Sequence, residues 1–445
     1  MKNRTKAFEI KADNLRWSCD PDSFGLTGTA DIEPIKDEVI AQERAVSSLK
    51  FGMKMAGTDY NIYVAGEPRT GLTYLTRSFL KKAAKSEPTP PDWCYIHNFR
   101  EPDEPRVISL PGGVGRELAK EMEELIYDLK SEIPNIFEGE DYRRRKEEII
   151  KKFTSERNPI LSELEATAKE RGFILNMSPE GMMIAPFKEG QPMTEEDLHN
   201  LTDEEKEELK AKSEALQEEM NKTVLRIKRM EKKLKGKLRD LDKRVALAAV
   251  GYLIDDLQEK YADYQSVLTY LKDVKTDVIR NLDDFKPKDQ PATPFPMPQQ
   301  EVDLTRYKVN VFIDNSDSDG APVVYEVNPT YTNLFGAMER RASFGALFTD
   351  FTMIRPGSMH RANGGYLVIR ARDLLKWYVS WEALKRALTN KEIKIEDMAE
   401  MFGFISTKGM KPESIPLNIK IILIGEPYIY HLLYMYDDQF KKLFK

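Results

Sequence analysis

The chain has 445 residues, room for about three structural units. Its 68 Lys and Arg against 74 Asp and Glu give a formal charge of −6, which argues against a nucleic-acid binder that is basic over its whole surface and leaves only a local basic patch open. No run approaches 18 uninterrupted apolar residues, and the start lacks the apolar core of a secretion signal, so no membrane contact and a cytoplasmic location are expected.

Residues 1–113 mix short apolar runs with turn residues and predict the first half of an α/β core. Asn61-Ile62-Tyr63-Val64-Ala65, ending at Gly66, reads as a buried strand. Leu75, Phe79, Leu80 and Ala83 follow at helical spacing, and Trp93-Cys94-Tyr95-Ile96 reads as a second strand. A strand–helix–strand unit of a parallel sheet is therefore expected. Val107–Leu110, closed by Pro111-Gly112-Gly113, is a third strand.

Residues 114–286 predict a helical, coiled-coil-like insertion. In 201–240, 22 of 40 residues are charged, too many for a globular core segment. Yet Leu209, Leu216, Met220, Val224, Ile227, Met230, Leu234, Leu238, Leu241 and Val245 recur at intervals of three, four or seven. That spacing puts one apolar stripe on a long helix over 201–246. Residues 140–171 and 253–282 carry similar patterns, so an antiparallel hairpin or short bundle is the economical packing. Phe173–Met177, Pro179-Glu180-Gly181 and Met182–Pro186 predict a small β-hairpin near 173–186. Its Met177, Met182 and Met183 are candidate substrate contacts, because Met-rich surfaces adapt to varied ligands; a plain spacer arm is the alternative.

Residues 287–300 are a Pro-rich linker, stiff and extended. Strands return in 301–445, the second half of the core: Tyr307–Ile313, Gly365–Ile369 and Ile419–Ile424 are the strongest apolar runs. The near-continuous apolar runs at 62–65, 366–369 and 420–424 should be central in a mainly parallel sheet, covered on both faces.

After the first strand comes Gly66-Glu67-Pro68-Arg69-Thr70-Gly71-Leu72-Thr73. A Walker A loop needs G-x-x-x-x-G-K-[ST] between a strand and a helix: backbone N–H groups cradle the phosphates, the Lys neutralises β/γ charge, and the hydroxyl holds Mg²⁺. Both glycines and the Thr fit, but Leu72 stands where the Lys belongs. A leucine brings no charge and sets apolar surface against a polyanion.

Other motifs give this loop a context. Ile40-Ala41-Gln42-Glu43-Arg44-Ala45 lies upstream; Asn328-Pro329-Thr330, Asn333-Leu334-Phe335-Gly336 and Thr349-Asp350-Phe351 lie downstream. Then follows Ile354-Arg355-Pro356-Gly357-Ser358-Met359-His360-Arg361-Ala362-Asn363-Gly364-Gly365-Tyr366-Leu367-Val368. Together these resemble the AAA+ part of Lon-related bacterial proteases in which a long coiled-coil insertion splits the ATPase core. The resemblance covers nearly the whole chain, and its most specific element is the His-Arg-Ala-Asn-Gly-Gly run. It implies an AAA+-like P-loop α/β fold split by the helical insertion.

The family's Walker B acid should end the strand Tyr366–Ile369, where this chain has Arg370 and then Ala371, with Asp373 three residues too late. A guanidinium about 5 Å from a divalent cation at an effective dielectric of 20 costs roughly 5–7 kcal/mol. The joint loss of Lys and acid resembles the LonC-type branch, whose nucleotide sites are degenerate and which works without ATP. Gly66, Gly71, Leu72, Thr73 and Arg370 are thus a nucleotide-site remnant, and no cofactor is expected. The alternative is an active unfoldase with ATP and Mg²⁺, a phosphate being reached by Arg69 or Arg77. Arg340 and Arg341 are either subunit-facing fingers or plain solvated arginines. A coiled-coil interaction protein with no nucleotide history is the third reading.

No catalytic residue is predicted in this chain. The family cuts with a Ser–Lys dyad in a C-terminal domain, and the sequence stops at Lys445, just after the last core strand, as a fragment without that domain would. Cys19 and Cys94 are too far apart for a zinc motif, and four histidines without paired spacing predict no metal site. The resemblance implies unfolded polypeptide substrates and a homo-oligomer, a hexameric ring in the full-length protein. Nucleic acid is not indicated.

Overall fold

A computed structural model describes residues 9–16, 18–32, 42–55, 59–178, 181–188, 191–193, 202–286, 302–343, 346–398 and 409–445. The Pro-rich linker, Ile40, Ala41 and the turn at Pro179-Glu180 lie outside them.

The first part of the chain folds as helix α1 (Glu43–Lys54), strand β1 (Ile62–Ala65), helix α2 (Leu72–Ala84) and strands β2 (Asp92–Ile96) and β3 (Arg106–Leu110). Helices α3 (Val114–Glu138) and α4 (Glu140–Glu170) follow, then strands β4 (Phe173–Ser178), β5 (Gly181–Lys188) and β6 (Gln191–Pro192). Helices α5 (Asp203–Lys260) and α6 (Gln265–Arg280) return the chain. Next come β7 (Val309–Ile313), β8 (Val323–Glu326), α7 (Tyr331–Phe335), β9 (Ala337–Met338), β10 (Arg341–Ser343), β11 (Ala346–Phe348) and β12 (Ile354–Arg355). The last part holds α8 (Ser358–Arg361), β13 (Tyr366–Arg370), α9 (Ala371–Leu375), α10 (Tyr378–Asn390), β14 (Glu392–Ile393), β15 (Ile415–Pro416), β16 (Lys420–Gly425), α11 (Pro427–Tyr436) and α12 (Asp438–Leu443).

The apolar runs from both ends of the chain join one parallel sheet in the order β1-β16-β13-β8. Leu367, Ile369, Ile421 and Leu423 point to one face, against Trp381, Leu384 and Phe440. Ile62, Val368 and Ile422 point to the other, against Leu80 and Ala84 of α2. The fold is thus α/β with a parallel sheet interrupted by a long helical insertion. In place β1 differs from expectation: β16 and β13 are central, whereas β1 is the outer strand. Its free edge is closed by the chain's own end, because Asn61 and Tyr63 donate N–H bonds to the carbonyls of Leu443 and Lys445 at 2.9 and 2.8 Å.

The expected parallel pairing of β1 with β2 is wrong. β2 lies between β3 and β7 in a separate, antiparallel three-stranded sheet. The physical reason is the partner of its apolar face: Cys94, Ile96, Ile108 and Leu110 pack on Leu118 and Met122 of α3, not on α2. The run at 307–313 joins this sheet as β7, not the parallel one. Asp92, fully buried, locks sheet to helix: its carboxylate accepts N–H bonds from Gly113, Gly115 and Asn315 at 2.8, 3.0 and 2.7 Å. Two of those donors belong to the start of α3, where amides lack intrahelical partners.

The long helix is longer than its stripe suggested. α5 runs unbroken for 58 residues to Lys260, so 253–260, expected in the returning helix, continue α5, and α6 starts only at Gln265. Thr202 and Glu205 form a capping box at its start. One buried stripe, including Leu216, Met220, Ile227 and Leu241, continues to Val250 and Ile254. α4 packs antiparallel on α5: Tyr142 donates to Asp242 at 2.7 Å, and Arg171 pairs with Glu219 at 3.1 Å. No described helix is long and apolar enough to cross a membrane.

Candidate functional site

In parallel α/β sheets, ligands gather at the carboxyl ends of the strands. Here β1, β13 and β16 end together around a cleft of about 550 Å³, lined by Gly66, Gly71, Thr73, Arg370, Gly425 and Glu426 among others. The loop joins the end of β1 to the start of α2. Gly66 donates its N–H to the Gly425 carbonyl at 3.1 Å, and Thr70 Oγ1 donates to the Glu67 carbonyl at 2.8 Å. Gly71 caps α2 at φ +73°, a conformation that disfavours any side chain.

Leu72, the first residue of α2, turns back into the loop. Its Cδ2 lies 2.9 Å from where a Cβ on Gly66 would stand, so the leucine tip packs directly on the first glycine of the loop. The same side chain joins Leu49, Met53 and Val64 at the edge of the core. The position that would carry a cation is therefore packed with hydrocarbon. The Thr73 side chain makes no hydrogen bond among the described residues and lines the cleft.

At the end of β13, Arg370 sits opposite Ile424 and is exposed. The nearby acids serve other partners. Asp373 accepts from Lys376 at 2.7 Å, and Glu326, at the end of β8, accepts from Ser358 Oγ at 2.7 Å and the Asn328 amide at 2.8 Å. Glu67 and Glu426 also line the cleft. Among the described residues no cluster of three His, Cys, Asp or Glu side chains is placed to hold a metal. This donor set does not suit Mg²⁺, because a guanidinium occupies the strand end where an oxygen ligand would be needed.

The remaining sequence candidates divide. Arg69 lines the cleft, whereas Arg77 stacks over the Tyr325 ring at 5.2 Å. Arg340 is ion-paired with Asp397, and Arg341 is exposed on the short β10–β11 hairpin. Arg372 and Glu426 line the cleft and were not singled out by the sequence; the only available signal was their place one or two residues beyond a strand end. The methionines are not brought to the cleft. Met182 faces Met177 across the β4–β5 hairpin and packs beside Leu164, Leu216 and Met220, where α4 and the start of α5 meet. Met183 is 61% exposed, and the Met177 side chain lies outside the described residues.

The His360–Gly365 run turns out to build the site rather than line it. His360 is fully buried against Phe312, and its Nδ1 accepts from the Gly357 amide at 3.3 Å. Burial, helped by the Arg361 charge, holds its pKa down to about 3. Asn363 donates Nδ2–H to the Pro416 carbonyl at 2.9 Å and accepts from the Asn418 amide at 2.7 Å. Gly364 adopts φ +85° against Pro90. The run thus sets the start of β13 against the segment entering β16, which aligns the two strand ends at the cleft.

Comparison with known proteins agrees with this architecture. The profile of the LonB-like AAA domain matches residues 319–445, and that of the Lon-like LonC helical domain matches residues 92–125. The second match begins at β2, the strand that packs on the helical insertion. A Lon protease homolog of Escherichia coli strain K12 is 32% identical over 96 residues, covering 20% of this chain and 15% of that relative.

Proposed function

Because the chain is a Lon-related protein, we propose that it is the substrate-entry module of a Lon-like protease that works without ATP. The observation that carries this reading is the joint chemistry of Leu72 and Arg370 in one cleft. Phosphoryl transfer needs a cation at the β/γ oxygens and a held metal ion. The loop from Gly66 to Gly71 can supply amide donors, but hydrocarbon fills the cation's place and a guanidinium replaces the acid. Surviving loop shape does not restore those electrostatic terms.

In this reading the AAA+-like core and its helical arm admit and select unfolded polypeptides, and the hairpin at 173–188, with Met183, touches them. Peptide-bond cleavage belongs to a Ser–Lys peptidase unit working with this chain, in a cytoplasmic, homo-oligomeric, hexameric ring. The intact loop and Thr73 favour a second reading, an ATP-driven unfoldase module. Calorimetry with ATP and Mg²⁺ separates the two. No heat of binding and no phosphate release are expected; micromolar affinity with phosphate release that vanishes in Thr73→Ala would establish the second.

A further inference from the structure

The arm carries a charge that the whole-chain total hides. In 222–244 of α5, eleven residues are Lys or Arg and three are Asp or Glu; in 143–152 of α4, six are basic and two acidic. These stretches carry +8 and +4 in a chain whose total is −6, so the remainder sums to −18. They lie side by side, because the Tyr142–Asp242 hydrogen bond joins the two helices at this level. Every Lys and Arg in both stretches is exposed. Among the described residues only Lys222, Arg144 and Arg145 of this set are held in ion pairs, with Glu218 and Asp141. Solvated coiled-coil surfaces ordinarily mix both signs along the helix. This one is predominantly basic for about 33 Å.

We infer that this basic belt binds acidic stretches of unfolded polypeptide, an inference that rests on the substrate-entry reading. Around α5 the seam side is taken by Ile227, Met230, Leu234 and Leu238, while Lys235, Lys232, Arg229 and Lys237 point successively around the remaining circumference at 100° per residue. A flexible chain can follow cations that wrap a rod; a rigid duplex touches one line of them. Neither stretch holds an aromatic residue on which bases could stack. A long polyanion would also meet the acidic remainder of the molecule, whereas a short acidic segment would not. Most of the belt's α5 cations are lysines, mobile point charges that suit irregularly spaced carboxylates.

The test is fluorescence anisotropy of the full chain with a labelled, unstructured peptide of about 20 residues rich in Asp and Glu. Neutral and Lys-rich peptides of equal length and a DNA duplex serve as comparisons. The acidic peptide should bind best and weaken at least about tenfold between roughly 50 and 200 mM salt. The combined Lys232→Glu, Lys233→Glu and Arg239→Glu variant should lose at least about tenfold with unchanged helical circular dichroism, and Arg143→Glu with Lys151→Glu should act likewise from α4. Lys81→Glu with Lys82→Glu on α2 should change nothing. Equal binding of the neutral peptide, unchanged binding by both belt variants, or tighter binding of the duplex would overturn the inference. Binding of neutral unfolded chains without acidic preference sinks this inference alone; failure to bind any unfolded chain sinks the substrate-entry reading as well.

Discussion

At the scale of single residues, two buried polar groups, Asp92 and His360, hold backbone amides in place. Asp92 holds three amides in a site with no water-facing surface. Replacing it by Ala strands those donors, so Asp92→Ala should lower unfolding free energy by about 3 kcal/mol, read as a lower urea midpoint. His360 stays neutral in the folded chain down to a pKa of about 3, while the unfolded chain takes up its proton near the ordinary 6.5. Between those values the unfolded state binds more protons, so stability is full above pH 6.5 and declines as pH falls toward 3. Urea melts at pH 6.5 and pH 5 should show the parent losing about 2 kcal/mol more than His360→Leu.

At the scale of elements, α5 shows how periodicity and packing divide the work. Its stripe suffices to predict a helix but could not say where it ends, because α3 and α6 bury the side chains of 246–254 on a second surface. Gly236 is exposed near its middle with open space where a Cβ would stand. Gly236→Ala should therefore stabilise the arm by about 1 kcal/mol, seen as slower hydrogen exchange across 225–245. At the other end of the fold, α12 is held by Asp437. Burial pushes this carboxyl up, but hydrogen bonds from Lys385, Trp381 Nε1 and the Phe440 amide outweigh it and keep the group below its usual range. Lys385 is itself buried, so Asp437→Ala leaves a cation without its buried partner. A loss of about 3 kcal/mol is expected, with melting of the 443–445 contact along β1 detected by exchange at Asn61 and Tyr63.

At the scale of the molecule, the two halves of the core meet in both sheets, β1 with β16 and β2 with β7, and the cleft exists because the first pairing sets β1 beside β16. β1 brings the loop from one end of the chain, and β13 and β16 bring Arg370 and Gly425 from the other. The site's chemistry should accordingly resist repair at one position. Leu72→Lys restores a cation but leaves Arg370 at the strand end and removes hydrocarbon packed on Gly66. It should melt lower than the parent by about 1–2 kcal/mol and still release no phosphate from ATP. A malachite-green assay on Leu72→Lys, alone and with Arg370→Asp, checks this; release by the single variant would show that the acid is dispensable.

The split α/β core, the long helix, a hairpin near 173–186 and the loop with its missing lysine are legible in the chain alone, because each is written in local period, turn residues or spacing. Which strands share a sheet is visible only in the folded molecule. Trp93–Ile96 is as apolar as a parallel strand should be, and its antiparallel place follows from its cover, α3, and from its pairing with β7, which lies far along the chain. The same holds for the cleft. Arg372 and Glu426 belong to it through strand register, and the His360–Gly365 run supports it through contacts with Phe312, Pro416 and Asn418. Local preferences depend on neighbours in sequence; register, cover and convergence depend on neighbours in space, which chain order does not encode locally.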